Sequence, residues 1–287
     1  MRKKMAGRAC LCALFGIVFS SLGFVGRALP AVAATTRSGY WVATANGAVY
    51  PYGAASTLFG PASTIKGLRS PIVAIAATRD RNGYWMVAAD GGVFAFGDAR
   101  FYGSLGNRQL NAPIAGIAAT PSGRGYWLVA TDGGVFAFGD ARFRGSGVDA
   151  RPGPWVGIAP LWSVPGYVLV NATGSLLAIT SPTVIPSPTR PIVGLHGRIV
   201  GIQTKGPGIW LVGSDGGVIT YDGAGFYGSL GHVALTAPIV AMTLTRDGRG
   251  YWLAGTDGGV FAFGDATFAG STAATPTNDR FVGIATS

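Results

Sequence analysis

An internal period constrains this chain more than any other feature. Gly-Tyr-Trp occurs at Tyr40-Trp41, Tyr84-Trp85, Tyr126-Trp127 and Tyr251-Trp252, with weaker copies at Tyr167-Val168 and Ile209-Trp210. Successive spacings at the Tyr position are 44, 42, 41, 42 and 42 residues. An apolar residue ending a short β-like run recurs at Ile75, Ile117, Ile158, Ile202, Met242 and Ile284. Six copies of one unit describe modules that bury their apolar faces only against their neighbours.

The copy from Pro113 to Ser146 divides into four short strands. Ile114–Thr120 is small and apolar. Tyr126–Thr131 is ended by the hairpin signal Asp132-Gly133. Gly134–Phe138 is closed by Gly139-Asp140, and Arg142–Ser146 follows before a longer link. The pattern predicts an all-β chain, a six-bladed β-propeller of four-stranded repeats. The units fall near 39–70, 71–112, 113–153, 154–197, 198–237 and 238–280. Gly39-Tyr40-Trp41 begins at a second strand, while Phe281–Ser287 reads as a first strand with nothing after it. The expectation is a ring in which this C-terminal strand (281–287) completes the N-terminal blade and leaves no open edge. An open solenoid with two frayed half-repeats is the alternative. Unit four departs from the pattern: Val168 replaces Trp, Thr173-Gly174 replaces Asp-Gly, and its third and fourth strands are expected to dissolve into the Pro-rich stretch Ser181 to Pro191. That divergence reads as drift in one blade or as a blade shaped to dock a partner.

Composition agrees with a chain of strands and turns. Glycine takes 47 of 287 positions, all twelve acidic residues are Asp, and past residue 34 the only lysines are Lys66 and Lys205. Residue types that dress exposed helices are therefore nearly missing. Residues 1–34 combine Arg2, Lys3, Lys4 and Arg8, an apolar run and the small-residue end Ala31–Ala34, as a secretory signal peptide does. An uncleaved membrane anchor is the alternative. Removal takes five of the 22 basic residues, leaving 17 against 12 acids, so the formal +10 becomes +5. It also takes Cys10 and Cys12, so thiol chemistry is excluded from the expected exported product. The expectation is a secreted or cell-surface monomer with no stable membrane insertion after cleavage.

Gly83–Ser104, Gly125–Ser146 and Gly250–Ser271 resemble a repeat of secreted actinobacterial proteins, GYW-x-x-x-x-DGG-x-F-x-F-GDA-x-F-x-GS. The resemblance implies an exported β-propeller-like module, often attached to other domains, and carries over no catalytic residue. The Asp-Gly-Gly turns also look, weakly, like the Asp-box turns of sialidase-type propellers.

No nucleophile elbow, HExxH, P-loop or EF-hand loop occurs, and His196 and His232 lie in different units. Asp90, Asp132, Asp215 and Asp257 share one turn position in four units and read as turn residues. Asn171-Ala172-Thr173 matches a glycosylation sequon. Neither a metal nor a cofactor is expected. The links after strands one and three share one face, with nine basic residues (Arg37, Arg79, Arg81, Arg100, Arg124, Arg142, Lys205, Arg246, Arg249) against five Asp. Such a face attracts anionic envelope polymers, or serves only as a solvated surface. Nucleic acid is not expected, because no basic cluster is interleaved with aromatics.

On the opposite face, Trp155 and Phe281 stand where other units begin the inner strand with Ile, near Arg108, Asn111, Asp149, Arg151, His232, Asp279 and Arg280. Aromatic stacking beside a few polar groups suits sugar or peptide capture. The expected function is a non-catalytic module binding a polysaccharide or protein partner. The alternatives are a propeller hydrolase or lyase using Asp and His at the channel mouth, and a purely structural surface protein.

Overall fold

The computed structural model describes residues 38–55, 65, 67–148, 150, 153–180, 184–186 (backbone only), 196–273 and 277–287. The expected leader and the candidates Asp149 and Arg151 lie outside them. Among the described residues there is no helix, hence none long and apolar enough to cross a membrane.

Among the described residues, nineteen strands form six small antiparallel, blade-like sheets. The first contains β1 (Gly39–Thr44) and β2 (Val49–Gly53), with β19 (Phe281–Thr286) from the far end of the chain paired along β1, Val42 opposite Ile284. The second holds β3 (Ile72–Ala77), β4 (Gly83–Ala88) and β5 (Val93–Gly97), and the third β6 (Ile114–Ala119), β7 (Gly125–Ala130) and β8 (Val135–Gly139). The fourth holds β9 (Trp155–Pro160), β10 (Gly166–Asn171), β11 (Leu176–Thr180) and β12 (Val184–Pro186). The fifth has β13 (Ile199–Lys205), β14 (Gly208–Gly213) and β15 (Val218–Tyr221), the sixth β16 (Ile239–Leu244), β17 (Gly250–Gly255) and β18 (Val260–Gly264).

The middle strands are buried along their whole length because each is covered on both faces. Side chains alternate along a strand, so in Gly-Tyr-Trp the Tyr faces one neighbouring sheet and the Trp the other. Trp41 lies 5.1 Å from Tyr84, Trp85 5.6 Å from Tyr126, Trp127 5.4 Å from Tyr167, and Trp252 5.4 Å from Tyr40. Six hydrophobic clusters result, one at each joint, including one that joins sheet six to sheet one through Trp252, Tyr40 and Phe281. The inner strands neighbour one another in the sequence β3, β6, β9, β13, β16, β19 and again β3. Glycine is required at this crowded centre: a Cβ on Gly283 would lie 2.8 Å from the Ile75 side chain, and one on Gly157 2.9 Å from Ile202. A register shift interrupts each inner-to-middle pairing, and each bulge turns a residue such as Val73, Val156 or Val282 toward the central hollow.

The expected fourth strand is corrected. In units two, three, five and six the described residues after the outer strand form no ladder. Their backbone bonds to side chains instead. Trp85 Nε1 donates to the Arg100 carbonyl at 2.8 Å, and Tyr126 Oη, from the next sheet, donates to the Gly103 carbonyl at 2.6 Å. Trp127, Trp210 and Trp252 hold Arg142, Gly225 and Thr267 in the same way. Each segment is a strap clasped between two sheets. Unit four is corrected in the opposite sense. With Val168 for Trp and Ile209 for the next Tyr, both clasping groups are missing there. The chain pairs with its own sheet, giving both an outer strand (β11) and a fourth strand (β12). The unit expected to lose strands is the only four-stranded one among the described residues.

Candidate functional site

Each inner strand except β9 has a threonine at its end or within one residue of it: Thr78, Thr120, Thr204, Thr245 and Thr286. Thr78 Oγ1 donates to Asp80 at 2.8 Å and accepts from the Gly83 N–H at 3.0 Å, and Thr245 repeats this with Asp247 and Gly250. These locks present the residue after the threonine to the end of the central hollow. That position is filled by Arg79, Pro121, Lys205 and Arg246, and in the fourth unit by Trp162.

Together with Arg81 these residues rim a cavity of about 450 Å³ whose lining contains four cations and no carboxylate among the described residues. Arg81 has φ +67°, while Gly123 and Gly248 hold the matching positions at +74° and +77°. A left-handed backbone costs a non-glycine residue about 1–2 kcal/mol. Burial pushes the Arg81 guanidinium below its usual value, with repulsion from Arg246 adding to it and Asp247 opposing. Burial lowers Lys205 as well, followed by Arg81 and Arg246, with Asp247 again opposing. Lys205 Nζ donates to the Arg246 carbonyl at 2.6 Å and lies 5.9 Å from the Trp162 ring centroid. Trp162 Nε1 donates to the Thr204 carbonyl at 3.1 Å, which fixes the indole at the rim while leaving it 46% exposed.

Beside the mouth, the Asp98 carboxyl hydrogen-bonds Asp80, which together with Thr78 lowers Asp80 to about 2. Burial, then Asp80 itself, raises Asp98. Such a split is what acid–base catalysis uses. However, Asp80 is tied into its own loop, accepting from Thr78 Oγ1 at 2.8 Å and from the Asn82 N–H at 3.3 Å. Unit six repeats the contact with Asp247 and Asp265, and unit three substitutes Ser122 for the first acid against Asp140. The pair is a loop lock.

The residues assigned from sequence to the other face do not form an aromatic site. Trp155 and Phe281 are 1% and 0% exposed. They fill volume next to small residues: Trp155 Nε1 donates to the Gly147 carbonyl at 3.2 Å, and Phe281 packs against the Gly258 turn beside Thr272. At the matching joints the pairs are Ile114 with Leu105 and Ile239 with Leu230. Asp279 accepts from Asn46 Nδ2 at 2.7 Å and Tyr50 Oη at 2.8 Å. The Tyr50 bond, against some desolvation, keeps its carboxyl below the ordinary range. Asp279 thus clamps the approach to β19 onto the first sheet. The Arg280 carbonyl accepts from Ala45 N–H at 2.8 Å. Arg108, Asn111 and His232 are exposed, in the stretches that follow the outer strands. Asp90, Asp132, Asp215 and Asp257 each accept the backbone N–H two residues on, at 2.9–3.0 Å. Asn171 does the same in unit four and is 1% exposed, which closes its sequon to modification in the folded chain. Sequence reasoning placed Arg79, Arg81, Lys205 and Arg246 on one face and missed Trp162. Its signal was available: Trp162 occupies the position held by Arg or Lys in units two, five and six.

No family model and no curated protein matches the chain. Among solved structures, the chain is similar to one described as the structure of U3-55K, at 11% identity and TM-score 0.51, covering 69% of this chain. It spans 62% of that protein's length. It is also similar to a chain in the nidogen/laminin complex, at 12% identity and TM-score 0.59, covering 87% of this chain and 98% of that one. Likeness at this identity concerns the fold alone.

Proposed function

We propose that the chain is an exported, closed six-bladed β-propeller that binds an acidic polymer of the cell envelope without catalysis, through the axial mouth at the ends of its inner strands. The observation that carries this reading is the mouth with four cations and no carboxylate. Charges of one sign in a partly desolvated hollow focus the field on an incoming anion. The ring reading is supported by β19 pairing with β1 and by the cyclic order of the inner strands. The test is retention on an immobilised acidic polysaccharide such as alginate, with dextran as the neutral control. Retention on alginate at 50 mM salt and release by roughly 0.5 M are expected, as screening weakens such contacts. Arg246→Asp is expected to weaken retention about tenfold or more, and Arg108→Asp on the other face to leave it within twofold. Equal retention on dextran, or a larger effect at Arg108, contradicts the reading.

A further inference from the structure

We propose that the mouth is built for an acidic sugar: its carboxylate sits on Arg81, Lys205 and Arg246 while its pyranose ring stacks on Trp162. This inference rests on the binding reading above and names the ligand class.

Arg81 gives the strongest argument. Its backbone is left-handed where sister loops use glycine, and its guanidinium lies near Arg246 and Lys205, with Asp247 only partly opposing their repulsion. Among the described residues the ion pairs on this face are Arg124–Asp140 at 3.5 Å and Arg249–Asp247 at 3.7 Å, and neither includes Arg81, Lys205 or Arg246. A residue that strains its loop and meets repulsion from its neighbours contributes little to the fold. It does supply charge aimed into the cavity. Trp162 is the second, independent observation. Of the seven tryptophans six are buried, and this one presents its ring at the same rim. A half-exposed aromatic face beside cations matches the two surfaces of a uronic acid, one apolar and one charged. The cavity of about 450 Å³ is in the range of small-ligand sites. Trp162 also borders a second hollow of about 590 Å³ with Arg142, Arg144 and Asp140 on its walls, the carboxylate being already engaged by Arg124, Thr120 and Ser122. A chain of sugars can therefore continue across the indole toward further cations.

The test uses tetragalacturonate, its methyl ester and inorganic phosphate with the exported chain at low ionic strength. Acrylamide quenching of tryptophan emission reports mainly Trp162, and phosphate binding is followed by thermal shift. Tetragalacturonate is expected to shield Trp162, and the ester to bind at least about tenfold more weakly. Arg81→Gly is expected to weaken tetragalacturonate about tenfold or more without lowering Tm. Trp162→Ala is expected to weaken tetragalacturonate similarly and leave phosphate within twofold. A lowered Tm with unchanged affinity in Arg81→Gly makes Arg81 a structural residue and overturns the proposal. Binding of phosphate without tetragalacturonate overturns the sugar assignment and leaves the anion-binding mouth standing. Binding of neither overturns both.

Discussion

Deleting Phe281–Ser287 is expected to lower the melting temperature by more than about 10 °C, or to leave the chain unfolded at room temperature. The deleted segment is the inner strand of the first sheet, hydrogen-bonded along β1 from Tyr40 to Thr44. It places Phe281, Ile284 and Ala285 in buried positions. Its removal also takes the Phe281 N–H bond to the Thr256 carbonyl, which ties it to sheet six at 3.1 Å. Losing a buried Phe and Ile alone costs on the order of 5 kcal/mol. That is comparable to the net stability of a domain, and each kcal/mol shifts Tm by about 2–4 °C at this size. The exposed inner edge of β1 would template self-association as well. Thermal melting by circular dichroism checks the prediction. An unaltered Tm would show that closing the ends contributes nothing.

Trp155→Ala is expected to destabilise the chain by about 3–5 kcal/mol, the range for emptying a buried aromatic site. The more discriminating result is the rescue. Adding a Cβ at Gly147 brings it 2.9 Å from the Trp155 ring, so Gly147→Leu alone is expected to destabilise through overpacking. Trp155→Ile alone is expected to destabilise by leaving a cavity. The double variant recreates the Ile114–Leu105 arrangement of the preceding joint and is expected to recover most of both losses. The coupling energy expected in a urea-denaturation cycle is about 1–3 kcal/mol. Additive losses would show that Trp155 does not compensate for Gly147.

These joints explain why the fold was largely legible and the site only in part. Strand periodicity and the Asp-Gly turns are local. Middle strands, hairpins and the pairing of Phe281–Ser287 with the first sheet could be read from one unit compared with the next. The fourth strand could not. Arg142–Ser146 has the composition of a strand, yet its backbone is claimed by the Trp127 indole and the Tyr167 hydroxyl. The second of these belongs to another unit. Trp155 and Phe281 attracted a ligand assignment because an aromatic in an Ile position looks functional when its small neighbour, Gly147 or Thr272, is not considered with it. Arg81 carried the opposite signal, a large cation in a glycine position, which becomes meaningful once its φ is known. Charge on the mouth face was legible because the loops alternate sides of the strands. Which four cations converge was not, since that depends on how the neighbouring inner strands bring Arg79, Arg81, Lys205 and Arg246 together.

Hydrogen exchange with and without an acidic polysaccharide tests the central claim most directly, because it reports which end of the inner strands the ligand covers. Binding at the axial mouth predicts slowed exchange in the loops at 78–83, 161–166, 204–208 and 245–250. The turns and exit loops at 105–112 and 231–237 are expected to exchange unchanged. Protection of those exit loops, with the mouth loops unaffected, would contradict the account.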